Sequence, residues 1–198
     1  DLGSRGLGDV YKRQLLILGD SISAGYGINK KDNWVYLMQQ KFYEEGNSIK
    51  LINSSVSGDT TGGGLGRLAK NLEKFKPDFV LIELGGNDAL RGYSIKLIKS
   101  NLEKMIALIK QNKSKVLLMQ IRIPPNYGQK YMLAFEKIYK DLALSEEVYL
   151  MPFMLEEIGI NSELMQPDGI HPNKKAQSLI AKDVKKNIDK FLLINQSN

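Results

Sequence analysis

From Leu15 onward the sequence alternates short apolar runs with longer stretches whose apolar residues recur every three or four positions. No other feature constrains the fold as much. A short apolar run bounded by glycine or proline suits a buried strand, and a 3.6-residue period suits an amphipathic helix. Residues 15–18, 49–52, 79–84, 116–121 and 148–151 read as five strands. Helical stripes lie between and after them. Trp34, Leu37, Met38 and Phe42 form the first, and Leu65, Leu68, Leu72 and Phe75 the second. Ile95, Ile98, Leu102, Met105 and Ile109 form the third, and Met132, Phe135, Ile138 and Leu142 the fourth. The last carries Ala176, Leu179, Ile180, Val184, Ile188 and Leu192. Strand–helix alternation of this kind implies right-handed crossovers and a parallel sheet covered on both faces. The expected fold is a three-layer α/β/α sandwich around a five-stranded parallel sheet.

The chain has 198 residues, a length that suits one such domain, and no internal repeat or linker divides it. Residues 1–14 (DLGSRGLGDVYKRQ) are glycine-rich, lack either periodicity and resemble translated sequencing-adapter read-through. They are expected to be a non-native or disordered tail, with the domain at 15–198. No apolar run reaches the roughly 18–20 residues of a membrane-spanning helix. The absence of cysteine excludes thiolate metal sites, disulfides and cysteine nucleophiles. Lysines and arginines exceed carboxylates, giving a net charge of +6. Lys96, Lys99, Lys104 and Lys110 alternate with apolar residues at helical spacing, so they read as a solvated face rather than a nucleic-acid surface.

In a parallel sheet every loop that follows a strand emerges at the same edge, where ligands bind. The unusual polar residues fall in those loops: Gly19-Asp20-Ser21 after the first strand, Ser57-Gly58-Asp59 after the second and Gly85-Gly86-Asn87-Asp88 after the third. Asp168-Gly169-Ile170-His171 lies after the fifth and before the last helix. His171 is the sole histidine. Lone histidines are commonly structural, but Asp168 sits three positions earlier across an Asp-Gly turn, close enough to hold the imidazole Nδ1–H. The other nitrogen is then free to act as a general base. The competing reading is an aspartate that only caps the last helix.

A serine hydroxyl needs such a base to become a nucleophile. Ser21, at the carboxy end of the first strand, is the candidate, although an N-cap serine has the same signature. Ser54, Ser55 and Ser57 are rivals. No Gly-x-Ser-x-Gly elbow is present, which argues against the α/β-hydrolase form of the triad. Gly58 leaves its own N–H open to a ligand, and Asn87 offers an amide NH₂ unless it serves only its own turn. The cluster Gly62-Gly63-Gly64-Leu65-Gly66 lacks the ending of a phosphate loop and reads as the flexible start of a helix.

Together, Gly19-Asp20-Ser21-Ile22, Gly58, Gly85-Gly86-Asn87-Asp88 and Asp168-Gly169-Ile170-His171-Pro172 resemble, in order, the four blocks of the SGNH/GDSL hydrolases. The likeness runs from about Leu16 to the carboxy terminus. It is strongest toward the bacterial thioesterase I/protease I/lysophospholipase and arylesterase group, through Ser57 to Thr60, Leu84 to Gly92, Gln120 to Arg122, Pro125 to Gly128 and Met165 to Pro172. The resemblance implies a flavodoxin-like fold and hydrolysis of acyl esters or thioesters through an acyl-serine. Ser21, Asp168 and His171 would form the triad, and Ser21, Gly58 and Asn87 the oxyanion hole. Asp20, Leu90, Arg91, Gly92, Tyr93 and Ile170 would meet the substrate, with Leu90 to Tyr93 as a mobile loop. It further implies no metal or organic cofactor, a monomer acting on a small acyl substrate, and a periplasmic or secreted setting. Ile22 departs from the family's usual leucine, and the triple glycine is richer than typical. The alternatives are a carbohydrate acetylesterase with the same triad and a non-catalytic module that binds an acyl or anionic ligand.

Overall fold

The computed structural model describes residues 13–196. Five strands form one sheet: β1 (Arg13–Gly19), β2 (Ile49–Asn53), β3 (Phe79–Glu83), β4 (Lys115–Met119) and β5 (Tyr149–Met151). Their order is β2-β1-β3-β4-β5 and every pairing is parallel. Seven helices connect or follow them: α1 (Ser21–Ala24), α2 (Trp34–Glu44), α3 (Thr61–Phe75), α4 (Gly86–Leu90), α5 (Ile95–Gln111), α6 (Gln129–Ser145) and α7 (Lys174–Ile194). The expected α/β architecture is the observed one. Among the described residues, no helix is long and apolar enough to cross a membrane.

The middles of β1, β3 and β4 are apolar because both of their faces are covered. Leu15 to Leu18, Val80 to Ile82 and Leu117 to Met119 have no exposed surface. Helix α2 packs against β2 and α7, whereas α3 lies against β1 and α5, and α5 and α6 cover β4. Phe191 of α7 meets Phe79 and Tyr149 edge-on, which seats the last helix on the sheet.

Boundaries moved where hydrogen bonding, not hydropathy, decides them. Strand β1 starts at Arg13, because Arg13 and Gln14 stay in register with Ile49 and Lys50 and Gln14 N–H donates to Asp78. The expected tail therefore overlaps the strand at these two residues, and positions 1–12 lie outside the described residues. Strand β4 stops at Met119, although Gln120 N–H still donates to Met151 O. The glycine cluster is not a loose approach to α3 but its opening turns, capped by Thr60 Oγ1 on Gly63 N–H. At Gly64 a Cβ would stand 2.3 Å from Leu84 Cδ1, so α3 approaches the sheet closely only without one.

The start of α2 links distant parts of the fold. The Asn33 side chain caps the helix at Val35 N–H (2.6 Å) and donates to Ser23 O (3.0 Å). Trp34 N–H donates to Gln177 Oε1 of α7, and its indole N–H to Ile22 O. One buried turn thus ties α1, α2 and α7 together. Asn33→Ala removes the cap and one of the two donors to the Ser23 carbonyl, the other being Asn53 Nδ2, and is expected to cost about 1–2 kcal/mol, read as a lower urea midpoint at unchanged m-value. A midpoint equal to the parent's would show the cap to be idle.

Candidate active site

Strands β1 and β3 are neighbours whose connections leave in opposite directions across the sheet, the arrangement that opens a crevice at their carboxy ends. Ser21 stands at the first position of α1, directly after β1. Asp20 caps that short helix through Oδ1 on Ile22 N–H (3.0 Å), so the chain turns sharply and Ser21 Oγ faces the crevice rather than the sheet.

His171 arrives from the far end of the chain. Its Nε2 lies 3.0 Å from Ser21 Oγ, and its Nδ1 lies 2.6 Å from Asp168 Oδ2. The other oxygen of Asp168 accepts the backbone N–H groups of Ile170 and His171. The aspartate therefore organises its own turn and the imidazole at once; it does not cap α7, a task that falls to Asn173. The hydrogen bond to His171 holds the Asp168 carboxyl down at about 2, with the two backbone N–H groups adding to it. Because that value lies below the ordinary 3.8, the charged contact is complete above the ordinary range and is lost only as pH falls through about 2.

Two further contacts fix the imidazole loop. The Tyr26 ring lies against the His171 ring, with centroids 4.4 Å apart. Gln166 Nε2 donates to Tyr26 O (2.8 Å) and to Pro172 O (3.0 Å), binding the serine segment to the histidine segment. Sequence reasoning missed both residues. Gln166 lies inside the stretch that carries the family likeness, but nothing in its spacing signals a bridge.

In the loop after β2, Gly58 lies exposed with open space beside its Cα. Asn87 sits in α4, a helix too short for periodicity to reveal. Its Nδ2 donates one hydrogen to Asp59 O at 2.9 Å, leaving the second available to a ligand. The asparagine thus bonds a distant loop and not its own turn. Asp88, beside it, is fully buried and accepts both the N–H (2.8 Å) and the hydroxyl (2.6 Å) of Thr61, which locks α4 to the first turn of α3. Burial raises the Asp88 carboxyl above its usual range, and the bonds from Thr61 oppose that rise.

Arg67, also missed, secures the loop after β2. Its Nε pairs with Asp59 Oδ2 at 2.8 Å, while its other nitrogens reach the oxygens of Ser54 and the carbonyl of Gly19. Ser54 Oγ is occupied by Arg67 and Asn71, Ser55 Oγ is buried without a partner, and Ser57 is exposed. Of these serines, Ser21 is the one that meets the imidazole.

The residues expected to meet substrate divide. Arg91, Gly92, Tyr93 and Ile170 are exposed at the rim and Leu90 is partly so, with Arg91 donating to Gly58 O and Tyr93 O held by the Tyr131 hydroxyl. Asp20 differs: its side chain is buried, turned under the crevice and spent on the cap.

Residues 17–179 match the profile of the GDSL-like Lipase/Acylhydrolase family. An arylesterase of Vibrio mimicus is 49% identical over 179 residues, spanning 90% of each chain. The thioesterase 1/protease 1/lysophospholipase L1 of Escherichia coli is 44% identical over 84% of this chain and 79% of its own. Among solved structures, the psychrotrophic esterase EstA from Pseudoalteromonas sp., inhibited by monoethylphosphonate, superposes with a TM-score of 0.90 at 43% identity, covering 91% of this chain and 98% of that one.

Gly85 links β3 to α4 at φ 124°, and a Cβ there would stand 1.9 Å from the Tyr139 hydroxyl, which is itself bonded to Leu84 O. Gly85→Ala is therefore expected to shift α4 and Asn87, lowering ester turnover by about tenfold or more and stability by about 2 kcal/mol or more. Rates and denaturation midpoints check this; an unaltered rate would mean that α4 tolerates the displacement.

Proposed function

The chain belongs to the GDSL-like lipase/acylhydrolase family, and on that footing we propose that it is a serine esterase and thioesterase acting through an acyl-serine on Ser21. The single observation that carries this reading is the continuous contact from Asp168 Oδ2 through His171 to Ser21 Oγ, at 2.6 and 3.0 Å. These are hydrogen-bonding distances for a general base and the nucleophile it serves.

In the proposed reaction His171 Nε2 takes the Ser21 proton as Oγ attacks the acyl carbonyl. The imidazolium that forms is stabilised by the Asp168 carboxylate, which stays ionised and keeps Nδ1 protonated. The carbonyl oxygen gathers negative charge against the N–H groups of Ser21 and Gly58 and the free hydrogen of Asn87 Nδ2. A donor of this kind is typically worth about 10²–10³ in kcat. The imidazolium then protonates the departing alcohol or thiol, and water repeats the sequence to release the acid and restore Ser21. No metal or organic cofactor enters the scheme.

The acyl or leaving group is proposed to lie along Leu90, Arg91, Gly92, Tyr93 and Ile170. Tyr26, which lies against the His171 ring, and Tyr93 and Ile170 expose apolar surface, which suits an aliphatic or aromatic substituent. The names of the relatives, an arylesterase and a thioesterase/lysophospholipase, support the same class of substrate. The phosphonate inhibition of the Pseudoalteromonas esterase supports covalent capture of serine.

Ser21→Ala and His171→Ala are each expected to abolish turnover of p-nitrophenyl esters. Asp168→Asn should lower kcat by about 10⁴ with its circular dichroism unchanged, since it forces the wrong tautomer. A fluorophosphonate probe should label the parent protein at Ser21 and leave Ser21→Ala unlabelled. Parental turnover by Ser21→Ala would overturn the assignment. Rates on esters and thioesters of graded chain length, set beside acetylated sugars, define the leaving group and acyl length.

A further inference from the structure

Glu83 closes β3, the most apolar strand of the sheet, and stands in register with Gly19, one residue before Asp20. Two carboxyl groups therefore leave adjacent strands directly beneath the Ser21 turn. Both are buried, and among the described residues neither forms an ion pair. Arg67 reaches the neighbouring Gly19 carbonyl but directs its charge to Asp59. Two ionised carboxylates buried together without a cation are far costlier than the same pair holding one proton.

The hydrogen bonds around the pair accommodate a proton on Glu83. Ser23 Oγ donates to Glu83 Oε1 at 2.5 Å, Asp20 Oδ1 accepts Ile22 N–H, and the strand register sets Glu83 opposite the residue before Asp20. We infer that Glu83 is a positioning residue that works in its protonated form, donating to Asp20 and so holding the turn that presents Ser21. Burial pushes Glu83 well above the usual carboxyl range and Asp20 up to about 6, the direction expected where two carboxyls share one buried site. The other ionisable groups that act on the pair are His171, Asp59 and the buried Tyr139 phenol. His171 favours a charged Asp20, whereas Asp59 opposes it. The single negative charge kept on Asp20 thus sits where it favours the imidazolium, and a second charge beneath the oxyanion is avoided.

The effect on catalysis rests on Ser21 as the nucleophile, but the shared proton does not. At neutral pH the parent protein is expected to show the infrared C=O stretch of a protonated carboxylic acid, shifted in D₂O and lost in Glu83→Gln. Glu83→Ala should lower kcat on p-nitrophenyl esters by about tenfold or more with KM within about twofold, since it loosens a transition-state donor and not a substrate contact. Glu83→Gln reproduces both a donor toward Asp20 and an acceptor toward Ser23, and should restore kcat to within about threefold of the parent. Absence of the infrared band, its persistence in Glu83→Gln, or a Glu83→Gln kcat as low as that of Glu83→Ala would each overturn the inference. If Glu83→Ala does not fold, the band and the Glu83→Gln rate still decide. Parental turnover by Ser21→Ala would instead sink the nucleophile reading while leaving the band in place.

Discussion

A parallel sheet has polarity, and the rest of this molecule depends on that one constraint. Because β1, β2 and β3 all run the same way, the segments after them must surface at a single edge. The hydrogen-bond register between β1 and β3 then sets Gly19 opposite Glu83, so the serine turn and the Asn87 helix start from adjoining positions. No side chain has to reach far. The loops that carry Ser21, Gly58 and Asn87 all begin at that edge, whereas the imidazole comes from a segment far along the chain.

Carrying it in is the task of a second set of contacts, made by polar groups of quite different character. Asp168 is exposed, charged and held at low pKa by the groups it orients. Asp20 and Glu83 are buried and raised, sharing a charge under the same serine. Asp88 is buried too, but is satisfied by Thr61 and serves as a fastener between helices. Four carboxyls around one hydroxyl are thus separated by solvent access and donors, not by residue type. That separation keeps negative charge off the face where an oxyanion would form, while leaving it available to an imidazolium.

Much of this was legible in the chain. The five apolar runs and the helical stripes pointed to the sheet, because burial on both faces leaves an unbroken apolar run at Leu16, Val80, Leu117 and their neighbours. The segments around Ser21, Gly58, Asn87 and Asp168 to His171 were legible as loops after strands. What escaped was geometry that hydropathy does not encode. Helix α4 is too short to have a period, Arg13 and Gln14 join β1 through backbone pairing, and Gly64 is small because Leu84 lies against it. Asp20 was expected at the substrate from the resemblance, yet its side chain is buried and caps α1. Glu83 did leave a trace, a carboxylate ending Phe-Val-Leu-Ile-Glu, but its partner is remote in sequence and became visible only with the register.

The contact between Ser21 and His171 joins residues 150 positions apart, and Gln166 spans nearly the same interval to Tyr26. Under the proposed mechanism this has a temporal meaning for a chain made from its amino end. The strands that precede Ser21, Gly58 and Asn87 can assemble while synthesis is still under way, yet the base that awakens the hydroxyl emerges 150 positions after it. A nascent chain that holds only the serine loops is then chemically silent.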